Sequence, residues 1–297
     1  MFHQKLADLA GPTPREVRPQ SPVVLYRPPT DLGSMEEFKK ELKAINRHFV
    51  TVKNRMLVQG GDLIIGRYSM LPFYRELELD VAEKGAKLIN TFQNHRYIAD
   101  LQNWYHDLEG ITPKTWMRLE DVPDNVGPVV LKGETNSRKE KWRTHMYAEN
   151  KQEAVQVYIR LQDDGFLSGQ SIYVREYVPL VKLQEGLGGQ PITKEFRFFI
   201  CDGKVLSGGY YWSSFVEDIG VVPKPEEVPL EFLRGVIDRV DGQARFYVVD
   251  VAQTVAGNWI VIELNDACQS GLSENDPEVL YKNLKDVLWN QFYQPRP

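Results

Sequence analysis

The sequence predicts an open α/β unit followed by a strand-rich α+β half. Apolar strand-like runs alternate with helix-like stretches from residue 23 to residue 90, as in a sheet covered by helices. Beyond residue 127 strands dominate, and Asp202-Gly203 between two alternating runs is a strong hairpin signal. Two last apolar runs, 246–251 and 258–265, flank Ala256-Gly257 and suit a second fold-back. With 297 residues, 42% hydrophobic and 26% charged, the chain can bury cores in two or three packed units.

Residues 1–21 hold several prolines and few apolar side chains, which suits an extended or disordered arm. A short apolar strand follows at 23–26. Ser34 with Glu37 three positions on resembles a capping box that opens a helix to about residue 45. Strands are expected at 49–52, 62–67 and 87–90, and a helix at 72–84 that Gly85 ends. Functional loops of such a sheet lie at the C-terminal ends of its strands, where Arg67 and Asn90 fall. A helix at 94–108 stops before Gly110, and the break near 110–127 divides a first unit, 22–112, from a second, 113–297. The second unit is expected to contain strands at 128–132 and 171–178, with a helix at 151–162 between them. A hairpin of 194–200 and 204–211 comes next, then a helix at 229–240, the final strand pair and a helix at 277–293.

Composition narrows the function. The net charge of −5, from 36 basic and 41 acidic side chains, gives no overall drive toward nucleic acid or anionic lipid. No apolar run approaches the ~20 residues that span a bilayer, and the N-terminus lacks a signal-peptide core. Neither a nucleic-acid nor a membrane partner is expected. Cys201 and Cys268 are far apart and lack metal-ligand spacing, which suits a reducing compartment; the cytoplasm is the expected location.

Several side chains have chemistry to offer. Side chains alternate faces along a strand, so Glu263 and Asn265 share one face, and a turn about Ala256-Gly257 sets Asp250 opposite Glu263. Two carboxylates and an amide oxygen suit a hard cation such as Mg²⁺. Lys132 ends an apolar strand beside the polar loop 133–139, where a lysine can reach phosphates; the loop has no Gly-Lys-Ser/Thr and is not a P-loop. Glu195 and Arg197 share one strand face, opposite Phe196, Phe198 and Ile200, and arginine's planar fork suits phosphate oxygens. Glu176, Tyr177 and Val178 lead into Pro179, a stiffened connection that can offer backbone groups to a purine edge. Each taken alone also suits a plainer role: a polar hairpin face, a surface lysine, a cross-strand ion pair or a connector. Arg67, Arg75, Arg138 and Arg143 are candidate partners for a substrate carboxylate, or solvated surface charges. Trp142, Tyr173, Tyr211 and Trp212 read as core or rim aromatics, His145 as a weak site candidate, and Cys268 as a structural thiol.

The order of these features over residues 23–290 resembles the ATP-grasp superfamily. The resemblance implies an N-terminal α/β domain beside two α+β lobes that enclose ATP, with 113–297 as the nucleotide-binding and catalytic domain. It implies Lys132 at the α-phosphate and adenine, and Glu176, Tyr177 and Val178 as an adenine hinge acting largely through backbone. Glu195 belongs with the nucleotide-binding set, Arg197 holds the γ-phosphate and the developing acyl phosphate, and Asp250, Glu263 and Asn265 bind Mg²⁺. Lys132 and Arg197 are then the catalytic pair. The sequence also departs from the family pattern. The usual lysine before the first lobe is missing, so Asn136, Ser137, Arg138 or Lys139 is left to cover the phosphates. Leu183 stands where a ribose-binding carboxylate is common, with Glu185 as a weak substitute. The implied activity is ADP-forming ligation of a small-molecule or peptide carboxylate to an amine. The alternatives are phosphoryl transfer to a hydroxyl and a non-catalytic nucleotide-sensing module.

Overall fold

The computed structural model describes residues 21–28, 35–167, 169–215, 220 and 222–293. The expected arm therefore lies outside the described residues except for Ser21, and so does Ser34 of the expected capping box.

Near-continuous apolar runs build the first sheet. Strands β1 (Ser21–Tyr26), β2 (Val50–Val52), β3 (Asp62–Arg67) and β4 (Lys87–Leu88) lie in the order β2-β1-β3-β4, all parallel. Val24, Leu25, Ile64 and Ile65 are fully buried, as parallel strands covered by helices require. Helices α1 (Met35–His48) and α2 (Tyr74–Glu83) contribute Ala44, Ile45, Leu77 and Val81 to that core. Gly85, at φ +74, takes the left-handed conformation that ends α2 and starts β4.

The single helix expected at 94–108 is two. Helix α3 (Phe92–Ala99) opens on a capping box between Thr91 and Asn94, and α4 (Leu101–Trp104) follows a break at Asp100. Asp100 has extended backbone angles, φ −100 and ψ 115, because its carboxylate accepts from Gln102 N at 3.1 Å and from the Tyr173 hydroxyl at 2.9 Å. A tertiary partner thus overrides helical periodicity.

The next sheet is antiparallel. Strands β5 (Thr115–Trp116), β6 (Val129–Gly133), β7 (Tyr147–Ala148) and β8 (Ile172–Glu176) take the order β5-β8-β6-β7. Helix α5 (Lys151–Gln162), between β7 and β8, packs Ala154, Val157 and Leu161 against Val129, Leu131 and Val174. A small hairpin of β9 (Lys182–Glu185) and β10 (Pro191–Thr193) leads to the last sheet. That sheet has the order β12-β11-β13-β14, from β11 (Glu195–Cys201), β12 (Lys204–Tyr210), β13 (Phe246–Gln253) and β14 (Trp259–Asp266). Helix α6 (Leu230–Arg239) precedes β13, and α7 (Pro277–Tyr293) closes the described chain. Strands β5, β7, β9 and β10 escape the sequence reading because runs of two to four residues carry no period.

The two faces of this last sheet divide the labour. Phe196, Phe198, Ile200, Tyr247, Val249 and Leu264 face α6 and pack with Leu233, Val236 and Ile237, and with Ile98, Leu101 and Trp104 of α3 and α4. On the opposite face Phe199, Phe246 and Val248 join the core shared by α7 and the first sheet. Arg197, Asp250 and Glu263 carry that second face onward as a polar row.

Gly209 of β12 faces the 274–275 backbone so closely that a Cβ there would lie 2.5 Å from Asn275 N. Asn275 in turn donates to the Arg197 carbonyl at 3.1 Å and accepts from the Ser207 hydroxyl at 2.6 Å. Gly209→Ala is expected to cost about 1–3 kcal/mol in urea unfolding, because backbone rather than a flexible side chain must yield. Among the described residues no helix is long and apolar enough to cross a membrane.

Candidate functional site

Register places the charges. Arg197 pairs with Asp250 across β11 and β13, and Asp250 pairs with Glu263 across β13 and β14, so three charged side chains form one cross-strand row. The Asp250–Glu263 facing expected from the turn is present. A bulge just after Asp250 shifts the β14 register and lets Ile260, Ile262 and Glu263 all line the cleft. The Arg197 fork grips Asp250 with Nε–Oδ1 at 2.9 Å and Nη2–Oδ2 at 2.8 Å, while Nη1 donates to the Gly271 carbonyl at 3.1 Å. Asp250 is only 1% exposed. From the other sheet, Lys132 of β6 crosses to Glu263 in an ion pair that ties β6 to β14.

Beside these pairs lies a cleft of about 970 Å³. Lys132, Glu176, Tyr177, Val178, Glu195 and Glu263 line it, with Val130, Met146 and Leu180 as apolar wall. An adjoining space of about 870 Å³ shares Ser137, Lys139 and Glu263 and is lined by Arg197 and Asn265. All eight nominated binding and metal residues other than Asp250 therefore line one of two communicating spaces, and Asp250 sits beneath as the partner of Arg197.

The electrostatics follow from burial and pairing. Burial alone pushes the Glu263 carboxyl up, but Lys132 and Lys139 outweigh it and hold it at about 2. Burial pulls Lys132 below the ordinary lysine range, with Glu263 opposing. Arg175 lines the cleft wall, held by Thr115 Oγ1 at 3.3 Å, Thr112 Oγ1 at 2.8 Å and the Ile262 carbonyl at 2.7 Å; burial pulls it down to about 10. Burial pushes Glu195 up to about 7 against the pull of Lys139. Its Oε2 accepts from Trp212 Nε1 at 3.1 Å and from Thr193 Oγ1 at 3.2 Å.

Glu195 gives a pH prediction. A carboxyl whose folded value of about 7 exceeds the ordinary 4.5 binds more protons folded than unfolded, so stability falls as pH rises between those values. Glu195→Gln should be more stable than the parent by on the order of 2 kcal/mol at about pH 8, with the advantage vanishing below about pH 4.5. Urea midpoints of both proteins across that range measure it.

Other candidates are satisfied internally. Arg67 bonds Glu41 at 2.6 Å and also the Ala267 carbonyl, Arg138 pairs with Asp164, and Arg143 pairs with Glu185 at 3.0 Å. Arg75 stands 5.7 Å over the Phe92 ring. These four do not wait for a substrate carboxylate in the cleft. Burial pushes the Cys268 thiol well up, consistent with a structural role. Tyr173 is core, whereas Trp142 and Trp212 line the cleft and Tyr211 the adjoining space. His145, Leu183 and Glu185 do not line either space.

Sequence reasoning missed Arg175, Thr193 and Gln190, and left Lys139 as one of four options. The 3-10 turn Lys139–Lys141 swings Lys139 inward, where Nζ donates to the Tyr211 hydroxyl at 2.7 Å and lies 5.1 Å over the Trp212 ring. For Arg175 a signal existed, an arginine inside a run otherwise apolar enough to be buried.

Among the described residues no group of three or more His, Cys, Asp or Glu side chains is arranged to hold a metal. A cation at this row would draw on two carboxylates, one held ionised at about 2, plus the Asn265 amide that already hydrogen-bonds Glu263. That donor set fits Mg²⁺, with Lys132 and Arg197 now standing where the added positive charge would act.

Comparison with known proteins agrees with this architecture. No curated protein matches the sequence. D-cycloserine synthetase DcsG superposes with a TM-score of 0.58 at 14% identity, covering 90% of this chain and 99% of that one. A D-alanine–D-alanine ligase from Bacillus anthracis, complexed with ATP, gives 0.56 at 13% identity over 93% and 99%. A RimK domain ATP-grasp protein from Sphaerobacter thermophilus DSM 20745 gives 0.54 at 14% identity over 89% and 99%. At these identities the shared property is the fold. Residues 118–284, more than half of the sequence, match an ATP-grasp domain, family 3 of its clade, and the chain belongs to that ATP-grasp family.

Proposed function

We propose that this protein is an Mg·ATP-dependent ligase that activates a carboxylate as an acyl phosphate, releases ADP and joins the acyl group to an amine. The observation that supports the reading most is the buried row Arg197–Asp250–Glu263 with Lys132 reaching it from the other sheet. Such a row offers fixed positive charge to phosphate oxygens and fixed oxygen donors to a cation, in a site largely screened from water.

Lys132 contacts the α-phosphate, the Glu176–Val178 segment offers backbone to the base, and Glu195 belongs to the nucleotide-binding set. Arg197 faces the γ-phosphate. Asp250, Glu263 and Asn265 would hold magnesium, which would offset charge on the phosphate oxygens. The γ-phosphoryl group passes to a carboxylate oxygen as ADP departs. The amine nitrogen then attacks the acyl carbon, the C–O bond to phosphate breaks, and the nitrogen loses a proton. Lys139 joins Lys132 and Arg197 in neutralising phosphate charge, which answers the missing lysine before the first lobe. The carboxylate and the amine belong to small molecules or peptides, and two buried free cysteines suit a cytoplasmic setting.

The test is incubation with Mg·ATP and a fractionated metabolite and peptide extract, following ADP and weighing new products. A ligase gives ADP, free phosphate and a product equal to its two substrates less water. A product that retains a phosphoryl group would make it a phosphotransferase, AMP would exclude the acyl-phosphate route, and binding without turnover in any fraction would favour a sensing module.

A further inference from the structure

At the end of the cleft away from the ion pairs, one polar side chain has no partner. Gln190 follows the turn Leu187–Gly189 between β9 and β10. Its backbone is satisfied, donating to the Leu187 carbonyl at 3.3 Å and accepting from Gly186 N at 2.7 Å. The residue is 6% exposed and lines the cleft. Its carboxamide makes no hydrogen bond among the described residues. A buried amide left unbonded destabilises a fold, so its retention points to a ligand that completes it.

The turn that carries it is also held firmly. Gly188 and Gly189 have φ of +65 and +80. A Cβ on Gly188 would lie 2.5 Å from the Glu140 carbonyl, and one on Gly189 would overlap Arg143 Nε. Only glycines let the turn dock this closely on segment 139–143, where Arg143 and Glu185 pair at 3.0 Å. The carboxamide is thereby preorganised on the cleft wall. Backwards along the chain from Arg197, alternate residues Glu195, Thr193 and Pro191 line the cleft, each about 7 Å from the last. Gln190 lies one residue further, at the end remote from the phosphate-binding charges and facing the space shared with Glu176–Val178.

We propose that Gln190 reads the adenine base, its oxygen accepting from the exocyclic amine and its nitrogen donating to N7. The assignment rests on the nucleotide reading above. A carboxamide matches the adjacent donor and acceptor of adenine in a bidentate pair, whereas guanine presents two acceptors on the same edge. Gln190 therefore sets selectivity for ATP over GTP.

Calorimetric titration of the full chain with Mg·ATP, Mg·GTP and Mg·7-deaza-ATP tests this. The parent should bind ATP about tenfold more tightly than GTP or the 7-deaza analogue. In Gln190→Leu, ATP affinity should fall about tenfold, GTP affinity should hold within about twofold, and the 7-deaza penalty should disappear. The free variant should melt no lower than the parent, because the substitution removes an unbonded amide. Gln190→Met serves the same comparison if the leucine variant fails to fold. Unchanged ATP affinity in the variant, or equal losses for ATP and GTP, overturns the assignment and leaves the ligase reading standing. A parent that binds none of the three overturns both.

Discussion

Arg197→Met is expected to lower ADP formation about a thousandfold, because it removes a fixed positive charge from where phosphoryl charge develops. The same change leaves Asp250 buried without its fork, at 1% exposure, and should lower unfolding free energy by about 3 kcal/mol. Arg197→Lys keeps the charge but loses the two-point grip, so it should recover much of the stability and little of the rate. Circular dichroism at the assay temperature separates lost chemistry from lost fold. Arg118→Ala, which breaks an exposed pair with Asp121 far from the cleft, should change neither. If Arg197→Met turned over ATP like the parent, the row would be structural only.

Asp266→Ala should be the most destabilising single change outside the hydrophobic cores. Asp266 is 3% exposed, and its carboxylate gathers Asn90 Nδ2 and Cys268 N at 2.9 Å, the Tyr74 hydroxyl at 3.2 Å and His95 Nδ1 at 3.1 Å. These partners come from α2, the end of β4, α3 and the loop after β14, so one carboxylate joins the first unit to the strand bearing Glu263 and Asn265. Removing it strands several buried polar groups at once, for an expected loss of about 3–5 kcal/mol and about 10 °C in melting temperature. Asp266→Asn keeps the shape and part of the bonding, and should lose about half as much. Scanning calorimetry of the three proteins decides the ranking.

How much of this was legible in the sequence depends on distance along the chain. The β11–β12 and β13–β14 hairpins were readable because their turns, Asp202-Gly203 at φ 46 and 75 and Gly257 at φ 88, carry local signals. The facing of Asp250 and Glu263 followed from turn position alone. Arg175 and Gln190 were not readable, because their roles depend on Thr112 and Thr115 in one case and on a docked turn in the other. The break at Asp100 was hidden for the same reason: Tyr173, its partner, lies 73 positions away. Charge type was ambiguous as well, since the pairings of Arg67, Arg138 and Arg143 with Glu41, Asp164 and Glu185 are set by the fold alone.

The central claim is that one metal-bound triphosphate occupies the space between Lys132, Arg197 and the Asp250/Glu263/Asn265 set. A crystal structure with Mg²⁺ and a non-hydrolysable ATP analogue tests it directly. The account expects Lys132 and Arg197 turned onto phosphate oxygens, the metal held by the three oxygen donors, and the base beside Glu176–Val178. An analogue bound elsewhere, or both ion pairs intact beneath it with no metal at those oxygens, would contradict it.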